Sequence, residues 1–277
     1  MPRSPAGFAW LTPSIPAGLP LSVALPAAAA VGAYINAKTQ LYYDLHLLKS
    51  ILPTVTSVFW QGFRGHLNLF YTLESYATSK STENRIFLRF EDKAHSYAQI
   101  YDTAIRYGNY LKHHRGIKKG DLVALDFQNT DTFVFLLFGC WSIGARPALI
   151  NYNLSGAPLV HCIKRAAARL ILIDPVVAAN VGDDVRSELP EVAFEIVTPE
   201  LEQRMLAMEA IRPDDELRND AKGDDMAMLI FTSGTTGLPK AAVVSWDKAG
   251  VVGGFTSRLI GTKTSDVFYT VCWWRAV

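Results

Sequence analysis

From Ser96 to Asp174 the sequence alternates helical and extended patterns without a break, and this restricts the fold more than any other feature. Ser96 and Gln99 form an S-x-x-Q capping box, after which Ile100, Ala104, Tyr107 and Leu111 recur at helical spacing as far as Gly116. Gly120 and Asp121 turn the chain into a strand, LVALDF. Asn129 or Thr130 caps a second helix that ends at Gly144. ARPALINYN returns as a strand, Ser155 and Pro158 open a third helix through LVHCIKRAAA, and RLILID is the strand it feeds. This β-α-β-α-β order predicts an α/β fold: a parallel sheet covered on both faces, with ligands at the strand ends. Upstream, FYTLESYATS reads as a helix and RIFLRFEDKAHS as a hairpin turning at EDK. Downstream, MEAIRPDDELRNDAKGDD breaks the periodicity and reads as a surface connection whose acidic residues are solvated.

The chain of 277 residues is 49% hydrophobic and 19% charged, which predicts a folded core. Its formal net charge of +1 and scattered Lys and Arg give no basic field, so no nucleic-acid partner is expected. Cys140, Cys162 and Cys272 form no CxxC pair and are odd in number, which suggests reduced thiols and no metal site. Cys140, inside FVFLLFGCWSIGA, reads as core, and His161 as a helix residue that packs or caps. At the N-terminus no charge occurs between Arg3 and Lys38, and LPLSVALPAAAAVGAYINA is apolar and Ala-rich. Three readings are open: a membrane anchor, a signal peptide cleaved near AVGA, or a disordered leader. Between Leu41 and Leu69, LHLLKSIL and HLNLF suit amphipathic helices lying on a membrane or on a globular body. These patterns divide the chain into a leader at 1–40, a connecting segment at 41–70 and a domain at 71–277.

The chemistry is concentrated in MAMLIFTSGTTGLPKAAVVSW. An apolar strand runs into Thr232, Ser233, Gly234, Thr235, Thr236 and Gly237, then Lys240, and continues as the strand AAVVSW. Glycines let backbone N–H groups point at one anion, hydroxyls add donors, and Lys240 adds a point charge, so the run suits a polyphosphate. A P-loop would need G-x-x-x-x-G-K-[ST] leading into a helix, whereas here Lys240 follows Pro239 and enters a strand.

TSGTTGLPK resembles the phosphate-loop signature of the adenylate-forming superfamily, which includes acyl-CoA synthetases, luciferases and peptide-synthetase adenylation domains. The segment from SYAQIYDTAIRYGNYL to ARPALINYNL looks like the opening half of the large domain of such a synthetase. NLFYTLESYA, INYNLSGAPLVHCI and VVSW look most like the fatty acid transport proteins, which are membrane-bound very long-chain acyl-CoA synthetases. The resemblance favours the anchor. It implies ATP with Mg2+, CoA as co-substrate, a fatty acid that is activated through an acyl-adenylate, and coupling to fatty acid uptake. It also implies that Ser233, Thr235, Thr236 and Lys240 hold the β- and γ-phosphates while Gly234 and Gly237 permit their approach. After DVFYTVC the family continues with a Pro-Leu-Tyr-His type segment, but this sequence reads Trp273, Trp274, Arg275, Ala276 and Val277. The adenine, ribose and magnesium motifs and the C-terminal catalytic lysine are not in it, so no catalytic residue is assigned, and these residues alone are expected to lack turnover. Activation of an amino or aryl acid, or a non-catalytic lipid-handling role, are the alternatives.

Overall fold

The computed structural model describes residues 20–232 and 238–269, and divides the chain into two units, Met1–Ile51 and Leu52–Val277. In the first, α1 (Leu21–Thr39) is a helix of 19 residues with no buried side chain. At roughly 1.5 Å per residue it matches a bilayer's hydrocarbon core of about 30 Å. Among the described residues it is the one helix long and apolar enough to cross a membrane, a criterion that a cleaved leader also meets. Pro26 lies in its second turn, and Gln40 ends it in the left-handed region at φ 53°. There the Asn36 side chain accepts from the Tyr42 amide at 2.7 Å.

The helix α2 (Leu41–Phe63) follows, and its part from Leu52 belongs to the second unit. There Val58 packs on the core, and Arg258 donates to the Thr54 hydroxyl at 3.2 Å. Asn68 caps α3 (Leu69–Ala77) by accepting from the Phe70 amide at 2.9 Å. The expected hairpin forms from β1 (Ile86–Phe90) and β2 (Lys93–Ser96), but its turn is shorter than EDK. Lys93 already pairs with Phe90, so Glu91 and Asp92 make the turn, with Glu91 at φ 51°.

The capping box then opens α4 (Tyr97–His114): Ser96 N donates to the Gln99 side chain at 2.8 Å and Gln99 N to the Ser96 hydroxyl at 3.3 Å. Thr130, one of two candidate caps, starts α5 (Asp131–Ser142) after β3 (Leu122–Asp126). The chain continues through β4 (Arg146–Ile150), α6 (Gly156–Ala166), β5 (Leu170–Ile173), the short α7 (Asp183–Ser187), β6 (Ala193–Ile196) and α8 (Pro199–Leu206). It ends in β7 (Met226–Thr232), β8 (Lys240–Ser245) and α9 (Trp246–Ile260). AAVVSW is therefore strand only to Ser245, whose hydroxyl accepts from Lys248 N at 3.4 Å and caps α9.

The six strands lie in the order β6-β5-β3-β4-β7-β8, parallel except for β8, which runs antiparallel to β7. Side chains alternate across a strand, so each strand feeds two cores. Val123 and Leu125 pack with Ile100, Leu111, Leu136 and Trp141 of α4 and α5 on one face. Ala124 packs with Leu159, Cys162 and Ile163 of α6 on the other. The sheet is covered on both faces, as the alternating pattern requires. Where α4 crosses α5 the backbones touch: a Cβ on Gly108 would lie 2.8 Å from the Gly139 carbonyl, so only glycine fits. Cys140 and Cys162 are buried free thiols, pushed up to about 12 by burial, which keeps them un-ionised and inert.

The charged connection after α8 runs along the surface, as expected, with Asp214, Asp215, Glu216 and Asp220 exposed, and departs from that pattern at Arg218. Arg218 is buried, with its guanidinium 4.7 Å from the Phe70 ring centre and 5.0 Å from that of Tyr71. It donates to the carbonyls of Ser142 at 2.7 Å, Pro213 at 3.0 Å and Asp214 at 3.3 Å, and to the Asp215 carboxylate at 3.1 Å. Asp215 also accepts from Tyr71 and Arg212, and Arg212 in turn pairs with Glu74 of α3. The carboxylates of the connection face water, as expected, and it is the buried Arg218 that ties the segment to the body of the domain, because a guanidinium taken out of water needs acceptors.

Candidate nucleotide site

The motif occupies the connection between β7 and β8. β7 runs parallel to β4, with Ala148 opposite Leu229 and Leu149 opposite Ile230. The connection therefore leaves the sheet at the carboxyl edge of the parallel strands, where β3 and β5 also end. β8 then returns antiparallel along β7, and the last rung of that ladder pairs Thr232 with Lys240. The two residues are the base of the connection, with the Thr232 hydroxyl 3.4 Å from the Lys240 carbonyl oxygen. Ser233, Gly234, Thr235, Thr236 and Gly237 lie outside the described residues.

A strand on either side explains the local sequence. Ala227, Met228, Leu229 and Phe231 are buried, because β7 is interior to the sheet, whereas β8 at the edge alternates exposed and half-buried positions. Lys240 is solvent-exposed, and among the described residues no carboxylate pairs with it. An exposed ammonium that no carboxylate among the described residues pairs is free to meet an anion. Among the described residues the connection is followed by β8 and not by a helix.

One neighbour escaped sequence reading. The His161 Nε2 of α6 lies 3.1 Å from the carbonyl oxygen of Pro239, the residue before Lys240. The helical pattern placed His161 on α6, but nothing in it indicates which strand end the ring meets. At the same edge of the sheet, the Asp126 side chain is fully buried and neither of its oxygens has a hydrogen-bond partner. Burial, with the nearby Asp174 charge adding to it, pushes the carboxyl up to about 7. Asp174 differs: its carboxylate accepts from the amides of Gln128 at 3.2 Å and Val176 at 3.0 Å.

A sheet of this order, closed by an antiparallel strand after a glycine- and hydroxyl-rich connection, defines an α/β protein with the N-terminal fold of the adenylate-forming enzymes. The sequence profile of AMP-binding enzymes matches residues 75–271, and the chain belongs to that family. It is 34% identical over 174 residues to a very long-chain fatty acid transport protein of Saccharomyces cerevisiae, covering 58% of this chain and 25% of that one. It is 31% identical over 258 residues to a protein of the same description from Cochliobolus heterostrophus, covering 91% of this chain and 39% of that one. Among solved structures, a fatty acyl CoA synthetase of Mycobacterium tuberculosis superposes with a TM-score of 0.55 at 24% identity, over 66% of this chain and 35% of the other. The chain thus spans between 25% and 39% of the length of these relatives.

Proposed function

We propose that the chain serves the ATP-dependent activation of a long- or very long-chain fatty acid to its acyl-CoA through an acyl-adenylate, coupled to fatty acid uptake. The observation that supports this most is the strand-connection-strand at the carboxyl edge of the sheet, with the exposed Lys240 at its base, which no carboxylate among the described residues pairs. The names of the fungal relatives support the acyl chain length. In this reading the fatty carboxylate attacks the α-phosphorus of ATP, pyrophosphate leaves, and the CoA thiol then displaces AMP. The residues of this chain act on the first step. Ser233, Thr235, Thr236 and Lys240 hold the β- and γ-phosphates, Gly234 and Gly237 let the backbone approach them, and Thr232 keeps the stem paired. Held so, the triphosphate presents its α-phosphorus in a fixed direction, and Lys240 offsets charge on the departing pyrophosphate. Magnesium travels with the triphosphate: among the described residues no group of three or more His, Cys, Asp or Glu side chains is placed to hold an ion.

The test is ATP binding by the chain. Lys240→Ala removes one charge-assisted contact, on the order of 2 kcal/mol, and is expected to weaken ATP about thirtyfold in equilibrium dialysis. The ammonium is exposed, so the unfolding midpoint should not move. An unchanged dissociation constant would remove Lys240 from the site.

The membrane belongs to the same proposal: residues 1–40 anchor the chain through α1, 41–70 connect, and 71–277 form the adenylation domain. Deleting 1–40 is expected to move the protein from carbonate-washed membranes into the supernatant. Retention of the deleted form would place the anchor elsewhere.

A further inference from the structure

We propose that His161 is a positioning residue for the phosphate-binding stem: by holding the Pro239 carbonyl from α6, it fixes where Lys240 presents its charge. The inference rests on the reading of the β7–β8 connection as a nucleotide site.

A carbonyl oxygen can only accept, so at 3.1 Å the Nε2 of His161 carries the proton. The contact joins elements 78 residues apart in sequence. Its place on the stem matters. Pro239 has no amide hydrogen, so its carbonyl is the only backbone polar group by which the residue can be tied down. On the β7 side the stem is held by the ladder as far as the pair of Thr232 with Lys240. Pro239 lies just beyond that rung, and among the described residues His161 is the side chain that hydrogen-bonds to it.

His161 is itself held firmly. Its neighbours Leu159, Val160, Cys162 and Ile163 are buried against the sheet, whereas His161 is half-buried. The ring is thus carried by a rigid element at the border of the packed face, a place from which a hydrogen bond positions and does not merely fill space. A lysine on a flexible four-carbon stem loses little reach if its backbone shifts, but it loses the preset direction that makes its charge effective.

The test separates donor from bulk. His161→Leu keeps an apolar side chain of similar size and removes the donor, while His161→Gln puts an amide N–H near the position of Nε2. Amide hydrogen exchange of the peptide from Leu238 to Val244, read in the purified chain without nucleotide, is expected to speed up about fivefold in the Leu variant. It should return to the wild-type rate with Gln, while peptides from β3 and α5 stay unchanged in both. ATP affinity is expected to follow, falling about fivefold with Leu and recovering with Gln. Exchange unaltered by Leu, or raised equally by Gln, would overturn the proposal. Absence of ATP binding by the wild-type chain would instead overturn the nucleotide reading, and the exchange rates would still decide whether His161 fixes the stem.

Discussion

Asp126→Asn is expected to stabilise the protein by about 4 kcal/mol at about pH 8 and by almost nothing at about pH 4. Asp126 ends β3, an interior strand, with neither carboxylate oxygen partnered, and its carboxyl is pushed from 3.8 up to about 7, mainly by burial and secondarily by Asp174. The sign follows from which state holds the proton. Between about pH 4 and about pH 7 the folded chain keeps Asp126 protonated while the unfolded chain has released the proton, so the folded state binds more protons and stability falls as pH rises. Above about pH 7 the loss is complete, and the charge is carried without a partner. Asn has the same shape and cannot ionise, so the difference between variant and wild type isolates this one group from all others that titrate. Chemical unfolding of both proteins at several pH values measures it. A difference that stays constant from about pH 4 to about pH 8 would show that Asp126 does not ionise in this window.

Arg218→Ala is expected to cost about 3–5 kcal/mol, the range found when one member of a buried charged network is removed. Its fully buried side chain serves three carbonyl groups and one carboxylate, and it lies across two aromatic rings. Removing it leaves the carbonyls of Ser142 and Pro213 without that donor and opens a cavity beside Phe70 and Tyr71, so that the pairs of Arg212 with Glu74 and of Tyr71 with Asp215 are left to tie the connection to α3. Lys restores charge but not the planar fork, so it should recover only part of the loss. Urea unfolding midpoints decide this, and a change for Ala within about 0.5 kcal/mol would mean that the network is solvated after all.

These two residues also show where sequence reading reached its limit. The order of helices and strands was legible because its signals are local. A capping box, a threonine before an apolar run and a glycine at a helix end act within a few residues, and Ser96, Thr130 and Gly144 do what their types predict. The two strands that flank the motif were legible for the same reason, and Thr232 and Lys240 are the last rung of their ladder. Arg218 and Asp126 read as ordinary surface charge and strand end, because burial is decided by what packs from elsewhere: Phe70, Tyr71 and Ser142 for the first, α6 for the second. Trp246 was misplaced into β8 because the hydroxyl of Ser245 caps a helix there, a signal that the β-branched run before it outweighed. His161 meets Pro239 only because β8 turns back along β7 beneath α6.

If the connection between β7 and β8 receives a triphosphate, an acyl-phosphate derivative of ATP will mark the lysine beside it. Such a reagent carries its reactive acyl group on the γ-phosphate, and a lysine amine held beside the phosphates takes that group in an amide bond as the nucleotide leaves. Mass spectrometry of the treated chain then identifies the modified lysine. Lys240 is expected to be acylated ahead of the other lysines, and excess ATP or pyrophosphate to protect it. Labelling spread over the surface lysines, or an acylated Lys240 that ATP does not protect, would contradict it.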